Sequence, residues 1–136
     1  MTLSLTQDAI DLGIVITDSE RSLAFYRDLL GFRHERDIPM PVGSGTMHRL
    51  YCGSSLIKLV KFDTNPDREA ATGGINAATG YRYFTIHCDN VGEMAEQAEA
   101  AGVTVAMAPT EIRPGVTIAM LEDPDGNWVE LVDYGH

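Results

Sequence analysis

The sequence predicts an α+β fold built from two tandem βαβββ modules. The chain carries one unit twice, because Ser54–Phe62 (SSLIKLVKF) aligns without a gap with Gly126–Tyr134 (GNWVELVDY), 72 positions later. At the same shift, Asp11–Thr17 (DLGIVIT) aligns with Tyr83–Asp89 (YFTIHCD), and a helical pattern follows each of these segments. A duplicated unit usually packs against its copy, and the boundary between copies is a natural place for a site.

The first module, about residues 9–62, begins with a strand and a helix. Ala9–Thr17 is β-rich and alternating, which is typical of a strand. Asp18 is placed to cap a helix over Ser19–Leu30, and Gly31 ends that helix. Strands are then predicted over Phe32–Ile38, Thr46–Cys52 and Ser55–Phe62.

The second module, about residues 81–134, repeats this order after a polar linker over residues 63–80. The linker contains Gly73 and Gly74, and we interpret it as a mobile, hinged segment, since a long loop in a compact domain is usually functional or mobile. The predicted elements are a strand over Arg82–Cys88, a helix over Val91–Ala101, strands over Val103–Ala108 and Val116–Leu121, a turn at Asp123–Gly126 and a strand over Trp128–Tyr134.

Composition bounds the function. The chain has 136 residues, 44% of them hydrophobic, which suits a single soluble domain over residues 1–136. A net charge of −10 argues against nucleic acid and anionic membranes as partners, because phosphate contacts need clustered Lys and Arg. The first residues lack the basic region and apolar core of a secretory signal. Cys52 and Cys88 form no CxxC pattern, so we expect buried free thiols in a reducing, cytoplasmic compartment.

Three segments resemble the vicinal oxygen chelate superfamily, which includes glyoxalase I, bleomycin resistance proteins and extradiol dioxygenases. They are ITDSERSLAFYRDLLGF, GYRYFTIHCDNV and LEDPDGNWVELVDY. The resemblance covers nearly the whole chain. It implies that the modules form a curved mixed sheet around a central cup, that the protein binds a small molecule there, and that the chain forms a homodimer. Members share architecture rather than chemistry, so the reaction does not follow from the resemblance.

The resemblance also implies where a metal would bind. Metal-dependent members commonly place a His, Glu or Gln ligand on the first and last strand of each module. Those positions hold Asp11 and Lys58 in the first module, and Tyr83 and Glu130 in the second. Only Glu130 is of the usual type, and the ammonium of Lys58 has three donors and no acceptor. We therefore expect no metal or other cofactor, with Lys58 taking the place of the ion near the carboxylates.

These four residues, Asp11, Lys58, Tyr83 and Glu130, are the predicted catalytic residues. They could equally be a structural remnant, a buried ion pair left after a metal was lost. His48, His87 and Arg49 are predicted to bind substrate, although a histidine in the core or on the surface explains His48 as well. His34 is interpreted as part of a solvated charge cluster, and His136 as a mobile terminal residue.

Three functional hypotheses remain from the sequence. The first is a metal-independent small-molecule enzyme, an isomerase, epimerase or lyase that works by proton transfer. The second is a ligand-sequestering protein of the bleomycin-resistance kind. The third is a divalent-metal enzyme like glyoxalase or a dioxygenase, with Glu130, Asp11 and His48 as its ligands. The sequence does not name the substrate.

Overall fold

The computed structural model describes residues 1–135, and His136 lies outside the described residues. The chain divides into two compact units, the first from Met1 to Pro66 and the second from Asp67 onward. Among the described helices, none is long and apolar enough to cross a lipid bilayer.

The first unit is a four-stranded sheet with one helical segment. Its sheet order is β1-β4-β3-β2, in which β1 and β4 are parallel and the other neighbours antiparallel. The elements are β1 (Asp11–Val15), α1 (Ser19–Leu23), a π-helical continuation (Ala24–Leu29), β2 (Arg33–Pro39), β3 (Gly45–Cys52) and β4 (Ser55–Phe62). The β-α-β-β-β order is the one the sequence predicts.

The helix begins at the predicted cap residue, Asp18, and changes from α-helical to π-helical hydrogen bonding at Ala24. The Asp18 carboxylate accepts a hydrogen bond from the backbone N–H of Arg21 at 3.0 Å, which satisfies one orphan donor of the first turn. The backbone N–H of Leu30 then donates to the carbonyl of Phe25, five residues back. Phe25 and Tyr26 are consecutive yet both buried, with ring centroids 4.7 Å apart.

The second unit repeats this architecture with sheet order β5-β8-β7-β6. Its elements are β5 (Tyr83–His87), α2 (Val91–Ala100), β6 (Val105–Arg113), β7 (Val116–Glu122) and β8 (Trp128–Asp133). The prediction of an α+β fold with two βαβββ modules is therefore confirmed. Strand β6 runs five residues beyond its predicted end at Ala108, and its pairing with β7 is interrupted by several register shifts.

The internal repeat extends to the strand register. In the first unit Asp11 is paired with Leu56, and in the second Tyr83 is paired with Trp128. Each of these residues is 72 positions from its counterpart, and the whole β1–β4 ladder reproduces the β5–β8 ladder at that offset. The alignment of the two copies therefore identifies positions with the same backbone surroundings in each unit.

The segment after β4 is anchored rather than hinged at its glycines. Gly74 is buried, and a Cβ built on it would lie 2.8 Å from the indole ring of Trp128. The Arg82 guanidinium donates to the carbonyl of Ala71 at 3.0 Å and also to the carbonyl of Gly74. The interpretation of Gly73 and Gly74 as a free hinge is therefore wrong, because the glycine here permits close approach of the backbone to an aromatic ring.

Both cysteines are free, as predicted, and both are half-buried rather than fully enclosed. Burial raises the pKa of each thiol above its ordinary value of 9.0, and a backbone hydrogen bond at Asn90 offsets only part of the effect for Cys88. We expect both thiols to react slowly with Ellman's reagent at pH 7, because only the thiolate attacks. The labelling rate of the folded protein should keep rising beyond pH 9. Fast labelling at pH 7, equal to that of the urea-unfolded chain, would contradict this expectation.

Candidate functional site

The sheet of the first unit has two chemically different faces. Along a strand, successive side chains point to opposite faces, and residues paired across strands share a face. Lys58 is paired with Gly13 on β1 and Arg49 on β3, whereas His48 is paired with Leu59 on β4 and Asp37 on β2. Lys58 and His48 therefore lie on opposite faces of the same sheet. We call these the lysine face and the histidine face.

The lysine face carries an ion pair between two predicted catalytic residues. The Nζ of Lys58 lies 3.6 Å from Oδ2 of Asp11, so the predicted contact between this ammonium and a carboxylate is present. The two side chains are 32% and 38% exposed, respectively, so the pair is half-buried. The interpretation of a buried ion pair does not fit this exposure.

A divalent metal does not fit this pair of first-unit positions. The Asp11 carboxylate forms an ion pair with the Lys58 ammonium. This ammonium repels a metal cation and has no lone pair with which to bind one. Nor does the structure bring Asp11 and His48 together, as the hypothesis of a metal enzyme requires, because they belong to opposite faces.

The histidine face carries a chain of four hydrogen-bonded side chains. Oδ1 of Asp37 lies 2.7 Å from Nδ1 of His48 and 2.6 Å from Nε2 of His34. Nε2 of His48 lies 2.8 Å from the hydroxyl of Ser19, the first residue of α1. His48 is 6% exposed, and the His34 side chain is 22% exposed. Of these four residues, only His48 is a predicted site residue. His34 does belong to a charged cluster, but with its side chain 22% exposed and bonded to Asp37 it is only partly solvated.

A β-bulge places His34 on this face. Two residues three positions apart in a regular strand point to opposite faces, so His34 and Asp37 should be separated. However, the pairing of β2 with β3 shifts between His34 and Arg36, which leaves Glu35 as an extra residue. Such a bulge re-aims the side chains on one side of it, and here it turns His34 towards Asp37 and His48.

The hydrogen bonds of this cluster define its electrostatics. Burial tends to raise the pKa of Asp37, but the hydrogen bonds from His48 and His34 outweigh it and hold that pKa below its ordinary value. Asp37 is therefore a carboxylate at neutral pH. With Nδ1 of His48 donating to Asp37, a neutral His48 accepts from the Ser19 hydroxyl, whereas a protonated His48 donates to it.

The other two predicted catalytic residues lie in the second unit. Oε1 of Glu130 accepts a hydrogen bond of 2.7 Å from the hydroxyl of Thr85, its cross-strand partner. Tyr83 is 46% exposed on the same strand as Thr85. The ring of His87 stacks on Tyr134, with centroids 5.2 Å apart. The roles of Tyr83, Glu130 and His87 stay predictions.

Arg49 shares the lysine face but has a partner of its own. Its Nε donates to the carboxylate of Glu35 at 3.0 Å. That hydrogen bond lowers the pKa of Glu35 and raises that of Arg49. A role for Arg49 in substrate binding stays a prediction.

The comparison with known proteins decides the family. The family model described as "Glyoxalase/Bleomycin resistance protein/Dioxygenase superfamily" matches residues 8–131. The chain belongs to this superfamily. The three segments that carry the resemblance fall almost entirely inside the matched range.

Individual relatives of this glyoxalase-superfamily protein are distant. It is 28% identical over 124 residues to a probable chloroplastic lactoylglutathione lyase of Arabidopsis thaliana, a match that covers 88% of this chain and 34% of the relative. The chain thus spans about a third of that relative. It is also 28% identical to the lactoylglutathione lyase of Haemophilus influenzae, with 87% and 86% of the two chains covered.

Solved structures support the fold. A glyoxalase family protein from Bacillus cereus superposes with a TM-score of 0.81 at 17% identity, covering 96% of this chain and 95% of the other. At this identity the likeness shows the architecture and leaves the reaction open.

Proposed function

We propose that this member of the glyoxalase superfamily is a metal-independent lyase or isomerase that acts on a small carbonyl compound by proton transfer. The observation that carries the proposal is the half-exposed ion pair of Lys58 and Asp11. By the resemblance, this pair stands at two of the positions where metal-dependent members commonly place ligands. The carboxylate can act as a general base, and the adjacent ammonium supplies a fixed positive charge. Proton transfer next to a carbonyl group requires both.

The proposed chemistry assigns one role to each partner. The Asp11 carboxylate removes a proton from the carbon next to the carbonyl, and the electron pair of the C–H bond moves to form an enolate. The Lys58 ammonium stabilises the negative charge that develops on the enolate oxygen. With a 2-hydroxycarbonyl compound, return of the proton to the former carbonyl carbon, together with transfer of the hydroxyl proton from the α-carbon oxygen to the former carbonyl oxygen, completes an isomerisation. With a leaving group on the β-carbon, the enolate electron pair forms the Cα=Cβ bond as that group departs and the carbonyl is restored, which completes a lyase reaction. Tyr83 as a donor and Glu130 as a second base remain part of the proposal.

The names of the relatives supply the first probe. Lactoylglutathione is a 2-hydroxyacyl thioester, so it has a C–H bond next to a carbonyl group, and the relatives in Arabidopsis thaliana and Haemophilus influenzae are named as its lyases. We include it in the proposed substrate class together with small 2-hydroxycarbonyl compounds. The homodimer that the resemblance implies is likewise proposed.

Metal dependence is the deciding test. We expect turnover of the probe to be the same before and after exhaustive dialysis against a chelator, and the same again after addition of Mn²⁺, Ni²⁺ or Zn²⁺. Turnover that disappears with the chelator and returns with one of these ions would overturn the proposal in favour of the metal-dependent hypothesis. Tight binding of such compounds without any turnover would instead favour the sequestration hypothesis.

A further inference from the structure

The hydrogen-bonded chain on the histidine face has the composition of a metal site. His34, Asp37 and His48 each offer one ligand atom, and the three atoms all lie within 4.8 Å of one another. Two imidazoles and a carboxylate suit the borderline divalent ions of the first transition row. We propose that this cluster binds one divalent transition-metal ion, with Zn²⁺ as the reference ion.

The ligand atoms must rearrange to accept the ion. Zinc lies roughly 2.0–2.2 Å from imidazole nitrogen and carboxylate oxygen, so tetrahedral ligand atoms are about 3.3 Å apart. Oδ1 of Asp37 is now 2.6 Å from Nε2 of His34 and 2.7 Å from Nδ1 of His48. The Asp37 side chain, which is 47% exposed, has room to withdraw by the difference. The nitrogens of His34 and His48 lie within 4.8 Å of each other, so they must also approach, and the more exposed His34 ring is the one free to move. Three protein ligands leave the fourth position to water.

The backbone fixes the ligands before the ion arrives. Asp37 and His48 are directly paired across the β2–β3 ladder. The bulge at Glu35 turns His34 to the same face, and a bulge is the kind of local irregularity that re-aims a side chain towards a site. The rings of His34 and His48 meet edge to face, with their centroids 6.0 Å apart. A His34 side chain that only faced solvent would need neither this contact nor the bulge.

Ser19 completes the arrangement. Histidine ligands almost always use their second ring nitrogen to hydrogen-bond an outer partner, which fixes the ring and the tautomer. Nε2 of His48 has such a partner in the Ser19 hydroxyl at 2.8 Å. On metal binding Nδ1 loses its proton, Nε2 carries the remaining ring proton and donates it to the Ser19 hydroxyl, and the Nδ1 lone pair is left for the metal. The ion would therefore connect β2 and β3 directly and reach α1 through Ser19.

This site is separate from the one proposed for catalysis, because it lies on the opposite face of the sheet from Lys58 and Asp11. A failure of one proposal leaves the other untouched. We therefore expect that an ion bound at the histidine face does not change the rate of turnover at the lysine face.

Isothermal titration of the full chain with ZnCl₂ tests the inference, with MgCl₂ as a reference ion that prefers all-oxygen sites. We expect one equivalent of Zn²⁺ to bind and Mg²⁺ not to compete. His34→Gln and Asp37→Asn should each weaken binding by more than tenfold. Ser19→Ala should weaken it by roughly 10- to 100-fold, the usual loss for an outer partner of a ligand.

Matched controls separate this site from adventitious binding. His87→Gln removes a histidine from the second unit, and Asp11→Asn removes an aspartate from the lysine face, so both should bind Zn²⁺ like the wild type. Zn²⁺ should also raise the Tm of the wild type and not that of His34→Gln. Unchanged Zn²⁺ affinity in both His34→Gln and Asp37→Asn, checked as folded by circular dichroism, would overturn the proposal.

Discussion

Replacing Lys58 by Met is expected to lower kcat for the proposed proton transfer by about 10²–10³. Removing one preorganised positive or donor group from a developing oxyanion has an effect of this size. KM should change much less, because the enolate charge that Lys58 is proposed to stabilise develops mainly in the transition state. Lys58→Arg keeps the charge and should restore part of the lost rate, which a purely structural role of the ammonium would not predict.

The stability of the same variant distinguishes catalysis from structure. Since the ion pair is about one-third exposed on each side, its loss should change the free energy of unfolding by less than about 1 kcal/mol. Lys61→Met is the matched control, because Lys61 lies on the same strand but on the opposite face. A loss of activity in Lys61→Met as large as that in Lys58→Met, or full activity in Lys58→Met, would contradict the role assigned to Lys58.

The equivalent positions of the two units could be predicted, because an internal repeat preserves the register of its strands. The alignment of Asp11 with Tyr83 and of Lys58 with Glu130 rests on a shift of 72 positions, and the parallel ladders of both units reproduce that shift. Strand neighbours in a parallel pair are fixed by the backbone. The choice of these positions came from the resemblance, which left Asp11 and Glu130 open as partners of Lys58. The ladder pairs Lys58 with Gly13, two residues from Asp11 on the same face, and so brings Asp11 within reach.

The histidine face could not be assembled from the hairpin alone. Folding the predicted strands, Phe32–Ile38 and Thr46–Cys52, evenly about their loop places His34 opposite Leu50 and Asp37 opposite Met47. Period-two alternation then lets His34 share a face with His48 and assigns Asp37 to the other face, whereas the structure pairs both Asp37 with His48 and His34 with Leu50. Nothing in the residues around Glu35 marks a bulge, and a single inserted residue reverses the outcome.

The glycines after β4 illustrate a different limit. A Gly-Gly pair in a polar segment is typical of a flexible linker, yet glycine is also the residue that lets the backbone approach a ring. Choosing between these meanings requires knowing that Trp128 lies against Gly74. That contact joins positions more than fifty residues apart, which no local pattern reports.

Asp123→Ala is expected to lower the free energy of unfolding by about 2–4 kcal/mol. Asp123 is 4% exposed and begins the turn between β7 and β8. Its Oδ1 accepts from the backbone N–H groups of Asp125 at 2.9 Å and Asn127 at 2.8 Å, and its Oδ2 accepts from the Asn127 side chain at 3.1 Å. Hydrogen bonds to a charged group contribute roughly 1.5–3 kcal/mol each, and bonds that share one carboxylate are not additive.

Urea unfolding followed by the fluorescence of Trp128, the single tryptophan, measures this loss in the unit that contains the turn. Asp123→Asn is the matched control, because its amide oxygen can still accept from both backbone groups while the charge is gone, so its loss should be intermediate. The same turn joins β7 to β8, whose ladder pairs Met120 with Glu130. If the carboxylate organises it, Asp123→Ala should loosen the β7–β8 end of the sheet, seen as faster amide exchange at Asn127 and Trp128. A variant within 0.5 kcal/mol of wild type, the usual range for an uninvolved surface residue, would show that the backbone holds the turn without its carboxylate.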